Sequence, residues 1–148
     1  SSTRLARAYS TVIAGAGQGH TRGQTSLLLF DSYVNQSVVA LATNRLVSSD
    51  LFVFFSLVPR YDEFRQLSDS HSSRGSLTTK LLSAIPLICP PIELIREADL
   101  MLGPIVERIK ANLYEMKTLA DLRDGLLPRL MRGEVRVPVA EQAVADAL

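Results

Sequence analysis

From Ile92 to Leu130 the chain repeats apolar residues at heptad spacing, and this constrains its fold more than any other feature. One column reads Ile92, Asp99, Val106, Leu113, Ala120, Leu127; the other reads Ile95, Leu102, Ile109, Met116, Arg123, Leu130. Only Asp99 and Arg123 interrupt them. A stripe of this period specifies an amphipathic helix, not a strand. Gly103-Pro104 lies inside it, and Pro suits the first turn of a helix. The spacing therefore predicts a helix from Pro104 to about Asp124, roughly 30 Å long at a rise of about 1.5 Å per residue, with Gly125 and Pro128 as its stop. A further column, Ile105, Asn112, Leu119, Leu126, widens the stripe beyond a two-helix seam, as expected of a helix pair or one kinked helix with more than one neighbour.

Upstream the pattern changes period. Pro90-Pro91 can continue neither a helix nor a strand ladder and marks the boundary. Residues 1–91 carry eight Lys and Arg against five acids, a net +3; residues 92–148 carry eight against ten, a net −2. The overall charge of +1 is thus an average over unlike parts. The first part reads as mixed α and β: Tyr9 to Ala14 and Tyr33 to Leu41 are rich in β-branched and aromatic residues and predict strands, with Thr25 to Phe30 expected as a third strand between them. Ser48-Ser49-Asp50 offers a helix start before Leu51 to Val58. Pro59 interrupts that helix, and Tyr61 to Leu67 resumes it. Ser68 to Ser76 reads as a loop, Leu77, Leu81 and Leu82 as a short helix capped by Ser76, and Ile85 to Cys89 as an apolar, strand-like run.

The 148 residues, 47% hydrophobic, suffice for one domain, or one small domain with an appendage. A single cysteine, Cys89, excludes a disulfide framework, and with two histidines, His20 and His71, it leaves little material for a metal site. A reduced, cytoplasmic setting is expected. No signal-peptide core or run of about 18 apolar residues occurs, and residue 1 is not expected to be the natural start. Cys89, in an apolar run beside two prolines, is expected to be a buried and inert thiol. Cys89-Pro90-Pro91-Ile92 lacks the Asn and the aromatic residue of the N-P-P-[FY] motif of amino-methyltransferases. Glu93, Glu97 and Asp99 read as a solvated helix start suited to the helix dipole. No catalytic residues, cofactor or metal are expected.

The densest polar signal is Gly15 to Thr25, GAGQGHTRGQT. A dinucleotide-binding loop needs a third Gly where His20 or Arg22 stands, and a phosphate-binding P-loop needs a Lys that is absent. Two readings remain, a structural turn between strands and a ligand-facing loop. The side chains of Gln18, His20, Thr21, Arg22 and Gln24 are of the kind that reach base edges and phosphates, since Arg pairs with guanine and Gln with adenine. A second polar loop, with Ser72, Ser73 and Arg74, is either a solvated turn or a partner to the first against DNA.

Taken in order, GHTRGQTSLL, YVNQSVVAL, LFVFFSL, SRGSLTTKLLSAIPLICPP and IVERIKANLYEMKTLADLRDGLLPRLMRGEVRV resemble a target-recognition domain and the following conserved helix of a type I restriction-modification specificity subunit. The resemblance covers about residues 9–137. It is most specific from Asn112 onward, through Leu119, Leu122, Arg123, Asp124, Leu126, Leu127, Pro128, Leu130, Gly133 and Glu134. Asn35-Gln36 and Pro90-Pro91 are the next most telling matches.

The resemblance implies an α+β fold: a target-recognition domain over residues 1–91, N-terminally incomplete, then a long coiled-coil-like helical region at 92–137 and a tail at 138–148. It implies a non-catalytic protein that reads double-stranded DNA and docks methylation and restriction subunits. Gln18, His20, Thr21, Arg22, Gln24, Ser72, Ser73 and Arg74 are then the expected DNA contacts, and Ile105, Ile109, Asn112, Met116, Leu119 and Arg123 the expected docking residues. The chain departs from the family where Ile92-Glu93-Leu94 follows the double proline in place of a common glutamine. The rival expectation is an oligomerisation or regulatory partner that acts through its helix without reading DNA.

Overall fold

The structure is a computed structural model describing residues 3–17, 20–71 and 76–147. It has two compact units, up to Gly103 and from Pro104 onward. The fold class is α+β, with short strands in small sheets followed by one long helix.

In the first unit, β1 (Arg4–Ala6) pairs antiparallel with β4 (Ser32–Val34), and β2 (Thr11–Ala14) is the centre of a second antiparallel sheet between β3 (Thr25–Leu27) and β5 (Val38–Leu41). The strand expected from Tyr9 begins only at Thr11. Tyr9 has a φ of 68°, a left-handed turn conformation that ends β pairing. The strand expected over Tyr33 to Leu41 is two strands in different sheets. Asn35 separates them: its Oδ1 accepts the Ser37 N–H at 3.0 Å, and its carbonyl accepts the Val38 N–H at 3.1 Å.

Helix α1 (Asp50–Leu57) starts at Ser49, whose Oγ accepts the Phe52 N–H at 3.0 Å. A 3-10 turn at Val58–Arg60 carries Pro59, and α2 (Tyr61–His71) follows. The segment expected to be a loop from Ser68 therefore begins as helix. Ser68 is fully buried, so its side chain belongs to the core face of α2 in spite of its polarity. The short helix α3 (Thr79–Ser83) is capped by Thr78, not Ser76, through a bond from Leu81 N–H to Thr78 Oγ1. Leu77 instead joins the core. Ile13, Leu57, Phe64 and Leu77 form that core, with Leu41, Val53, Leu67, Leu82 and Ile85 packed against it. Burial on this scale ties β2, α1, α2 and the segment before α3 together, and truncating a buried Phe such as Phe64 to Ala costs about 3–5 kcal/mol.

Residues 85–89 form no strand, and Cys89 is exposed, its thiol donating to the Val47 carbonyl at 3.4 Å. The expectation of a buried thiol is thereby corrected: the run has no sheet neighbour, and after Ile85, which packs against the core, residues 86–89 pass over the surface.

Helix α4 runs Ile92–Met131 with Pro104 and Pro128 inside it. The stop expected at Gly125 and Pro128 lies instead at Gly133. There Gly133 has a φ of 71°, its N–H bonds to the Leu130 carbonyl at 3.0 Å, and the Glu134 N–H bonds to the Arg129 carbonyl at 2.9 Å. This pair of bonds around a left-handed glycine is the Schellman cap. A Pro inside a helix removes one backbone bond, and Pro104 and Pro128 are both exposed, where water can satisfy the freed carbonyl. Asp99, one of the two interruptions of the heptad columns, accepts the Ser49 hydroxyl at 2.8 Å, joining the first turns of α4 to the cap of α1. Helix α5 (Val137–Ala145) follows, with Pro138 in its first turn.

Candidate nucleic-acid interface

The glycine loop joins β2 to β3 as a long hairpin connection. It is closed at its base by backbone bonds from Ala14 N–H to the Gln24 carbonyl, 3.0 Å, and from Gly23 N–H to the Ala14 carbonyl, 2.8 Å. Gly23 sits at a φ of 87°, and a Cβ there would lie 3.2 Å from Cβ of Phe64. Glycine is therefore required twice over, by conformation and by the close approach of α2. Gly15 has a similar role on the other side: a Cβ would meet the Leu77 carbonyl at 2.9 Å.

Residues 72–75 lie outside the described residues, but both segments that frame them are anchored to the glycine loop. On the α2 side, the Arg22 guanidinium forms an ion pair with Asp69 and donates to the Gly17 carbonyl at 3.3 Å. On the α3 side, the Leu77 N–H donates to the Gly15 carbonyl at 2.7 Å. Tyr61 adds a third tie, its hydroxyl donating to the His20 carbonyl at 2.6 Å.

The expected DNA contacts divide accordingly. His20, Thr21 and Gln24 are exposed on the glycine loop. Arg22 is only 6% exposed and is engaged with Asp69. As placed, it is an anchor between the loop and α2, not a free guanidinium ready for a guanine. Sequence reasoning missed Asp69, because its partner lies 47 residues away and no local pattern marks the pair. Gln18, Ser72, Ser73 and Arg74 lie outside the described residues. Among the described residues no three His, Cys, Asp or Glu side chains come together as metal ligands, and no helix is long and apolar enough to cross a membrane.

The expected docking residues form one stripe on α4. Ile105, Ile109 and Met116 are 57%, 50% and 65% exposed, and Asn112, Leu119 and Arg123 are exposed as well. Their spacing of four and three residues keeps them on one helix face. Arg123 hydrogen-bonds to the neighbouring Asp124 at 2.8 Å. That bond holds the Asp124 carboxyl below its ordinary range and raises the Arg123 guanidinium.

No family model matches the sequence. The chain spans a quarter of the length of the curated relative it matches: over 117 residues, 78% of this chain and 25% of that protein, it is 30% identical to the type I restriction enzyme HindI specificity subunit of Haemophilus influenzae.

Proposed function

We propose that this chain is a non-catalytic DNA-recognition part of a type I restriction-modification specificity subunit. In this reading, residues 1–91 read double-stranded DNA, the helical region 92–137 docks methylation and restriction subunits, and 138–148 is a tail. The observation that carries it is the anchoring of the glycine loop to α2 and to the segment before α3. Arg22 to Asp69 and Gly15 to Leu77 hold the glycine loop against the segments on either side of residues 72–75, so the loop presents the exposed His20, Thr21 and Gln24 side chains from a fixed base. Similarity to a specificity subunit supports the same conclusion.

His20, Thr21 and Gln24 act as base or phosphate contacts, together with Gln18, Ser72, Ser73 and Arg74. Arg22 acts by positioning the loop. Ile105, Ile109, Asn112, Met116, Leu119 and Arg123 form the docking stripe; an apolar face that is exposed in one chain is a surface for another.

The test is selection of bound duplexes from a randomised pool at fixed salt, followed by affinities for the enriched sequence. Enrichment of a defined motif is expected, with Gln24→Ala costing about 1–3 kcal/mol and relaxing one position of it. Equal binding to all sequences would refute the proposal.

A further inference from the structure

Among the described residues, the unpaired positive charge of residues 1–91 does not sit on the glycine loop. Arg22 pairs with Asp69, Arg45 with Asp50 and Arg60 with Glu63. Arg65 lies over the Tyr61 ring, 5.9 Å from its centroid, and Arg74 is outside the described residues. The cations of this part that have no ion-pair or hydrogen-bond partner among the described residues are Arg4, Arg7 and Lys80, all exposed.

Two of these three line one cavity. It measures about 560 Å³ and lies between the β1–β4 ribbon and β5, where Arg4, Arg7, Ser10, Asn35, Gln36 and Thr79 supply its polar groups. Lys80 is the next residue after Thr79. No carboxylate lines the cavity among the described residues; Asp31, close by in the chain fold, accepts the Ala8 N–H at 2.7 Å. Asn35 uses its Oδ1 on the Ser37 N–H, which leaves its amide NH2 as a donor. The site is therefore concave, rich in donors and cationic, and a cleft of one sign focuses its field on an incoming anion. Arginine is suited to phosphate, which it binds through a fork of donors.

We infer that the Arg4, Arg7, Asn35 and Gln36 cavity holds phosphodiester groups of a DNA backbone, independently of base sequence. The inference rests on the DNA-reading role proposed above and adds to it a site that positions the duplex. The cavity and the base of the glycine loop share a neighbour, Val39, which lines the one and lies 3.3 Å from where a Gly15 Cβ would stand in the other. A backbone held there borders the loop that faces the bases.

The experiment measures affinity of the full chain for one duplex of arbitrary fixed sequence across a KCl series, beside Arg4→Gln, Arg7→Gln and the double variant. Each phosphate contact contributes about 0.9 to the slope of log affinity against log salt. Each single variant should lower the slope by about 1 and the double variant by about 2, with the same effect on a second, unrelated duplex and unchanged circular dichroism. The exposed single variants keep the test valid should the double variant fold poorly. An unchanged slope, or a loss confined to one sequence, overturns the cavity as a phosphate site while leaving base reading standing. A lowered slope in a protein that shows no preference in the randomised pool supports the cavity and refutes base reading. Absence of DNA binding by the parent chain at the lowest salt overturns both.

Discussion

Replacing Asp69 by Ala removes the carboxylate from a guanidinium that has almost no access to water. Breaking a fully buried ion pair costs about 3–5 kcal/mol, whereas an exposed pair contributes about 0.2–1 kcal/mol. The Arg22 side chain is 7% exposed but that of Asp69 is 57%, so the expected cost lies between these limits, at about 1–2 kcal/mol. Arg22→Ala loses in addition the charge-assisted bond to the Gly17 carbonyl and the packing of the side-chain stem, for a total of about 2–4 kcal/mol. In a double-mutant cycle with Asp69→Ala the coupling should be about 1–2 kcal/mol, because the second substitution removes a partner already lost. Urea unfolding followed by circular dichroism reads these values, and tyrosine emission provides a second probe in a chain without Trp. In thermal unfolding, each kcal/mol corresponds to roughly 4–8 °C for a domain of 60–100 residues. A coupling below about 0.3 kcal/mol, the ordinary error of additivity, would refute the anchor and return Arg22 to the solvent-facing set of the loop.

Other substitutions test separate features. Gly15→Ala drives a Cβ against the Leu77 carbonyl and should destabilise by about 1–3 kcal/mol; a neutral result would mean that the glycine loop and the segment before α3 are not held together there. Gly125→Ala has open space around it inside α4 and should stabilise the helix by about 0.5–1 kcal/mol, while a loss of stability would restore the helix stop expected at that position. Ser68 is fully buried with no hydrogen-bond partner for its hydroxyl among the described residues, so Ser68→Ala should be neutral or stabilise by up to about 1 kcal/mol, and a loss above about 1 kcal/mol contradicts that placement. The exposed stripe on α4 predicts concentration-dependent self-association, abolished by Met116→Glu, since an unpaired charge cannot be buried cheaply; sedimentation of a parent chain that stays monomeric at every concentration counts against the stripe as an adhesive face.

Legibility in the sequence followed the range of the interactions. The strand β2 was readable from its β-branched residues, as was the start of α1 from Ser49, because these signals are local; β3 was placed but ends at Leu27, three residues before the expected Phe30. The break between β4 and β5 was not, although Asn35 carries it, since an Asn inside a β-rich run marks a turn only when its side chain folds back on Ser37. The end of α4 was misplaced because Gly125 and Pro128 are stop residues by type, whereas the stop at Gly133 depends on two backbone bonds that close around it. At the candidate interface, the polar character of both loops was plain. The burial of Arg22 was not, because Asp69 comes from a distant helix, and the pairing that silences the loop's cation also leaves Arg4 and Arg7 as exposed charge elsewhere.

The anchoring of the glycine loop and its neighbour relies largely on main-chain groups: Ala14 with Gln24, Gly23 with Ala14, Leu77 with Gly15. Main-chain donors and acceptors are common to every residue type apart from the missing N–H of proline. The exposed side chains of His20 and Thr21 between the anchors are thus released from the duty of holding the fold, and the core of Ile13, Leu57, Phe64 and Leu77 lies outside them. Such a scaffold separates what must stay constant from what can drift. If the loop reads DNA as proposed, variants that keep the glycines at 15 and 23 and the Arg22–Asp69 pair are expected to tolerate exchange of the exposed His20 and Thr21 side chains, with binding preference, not stability, as the property that changes.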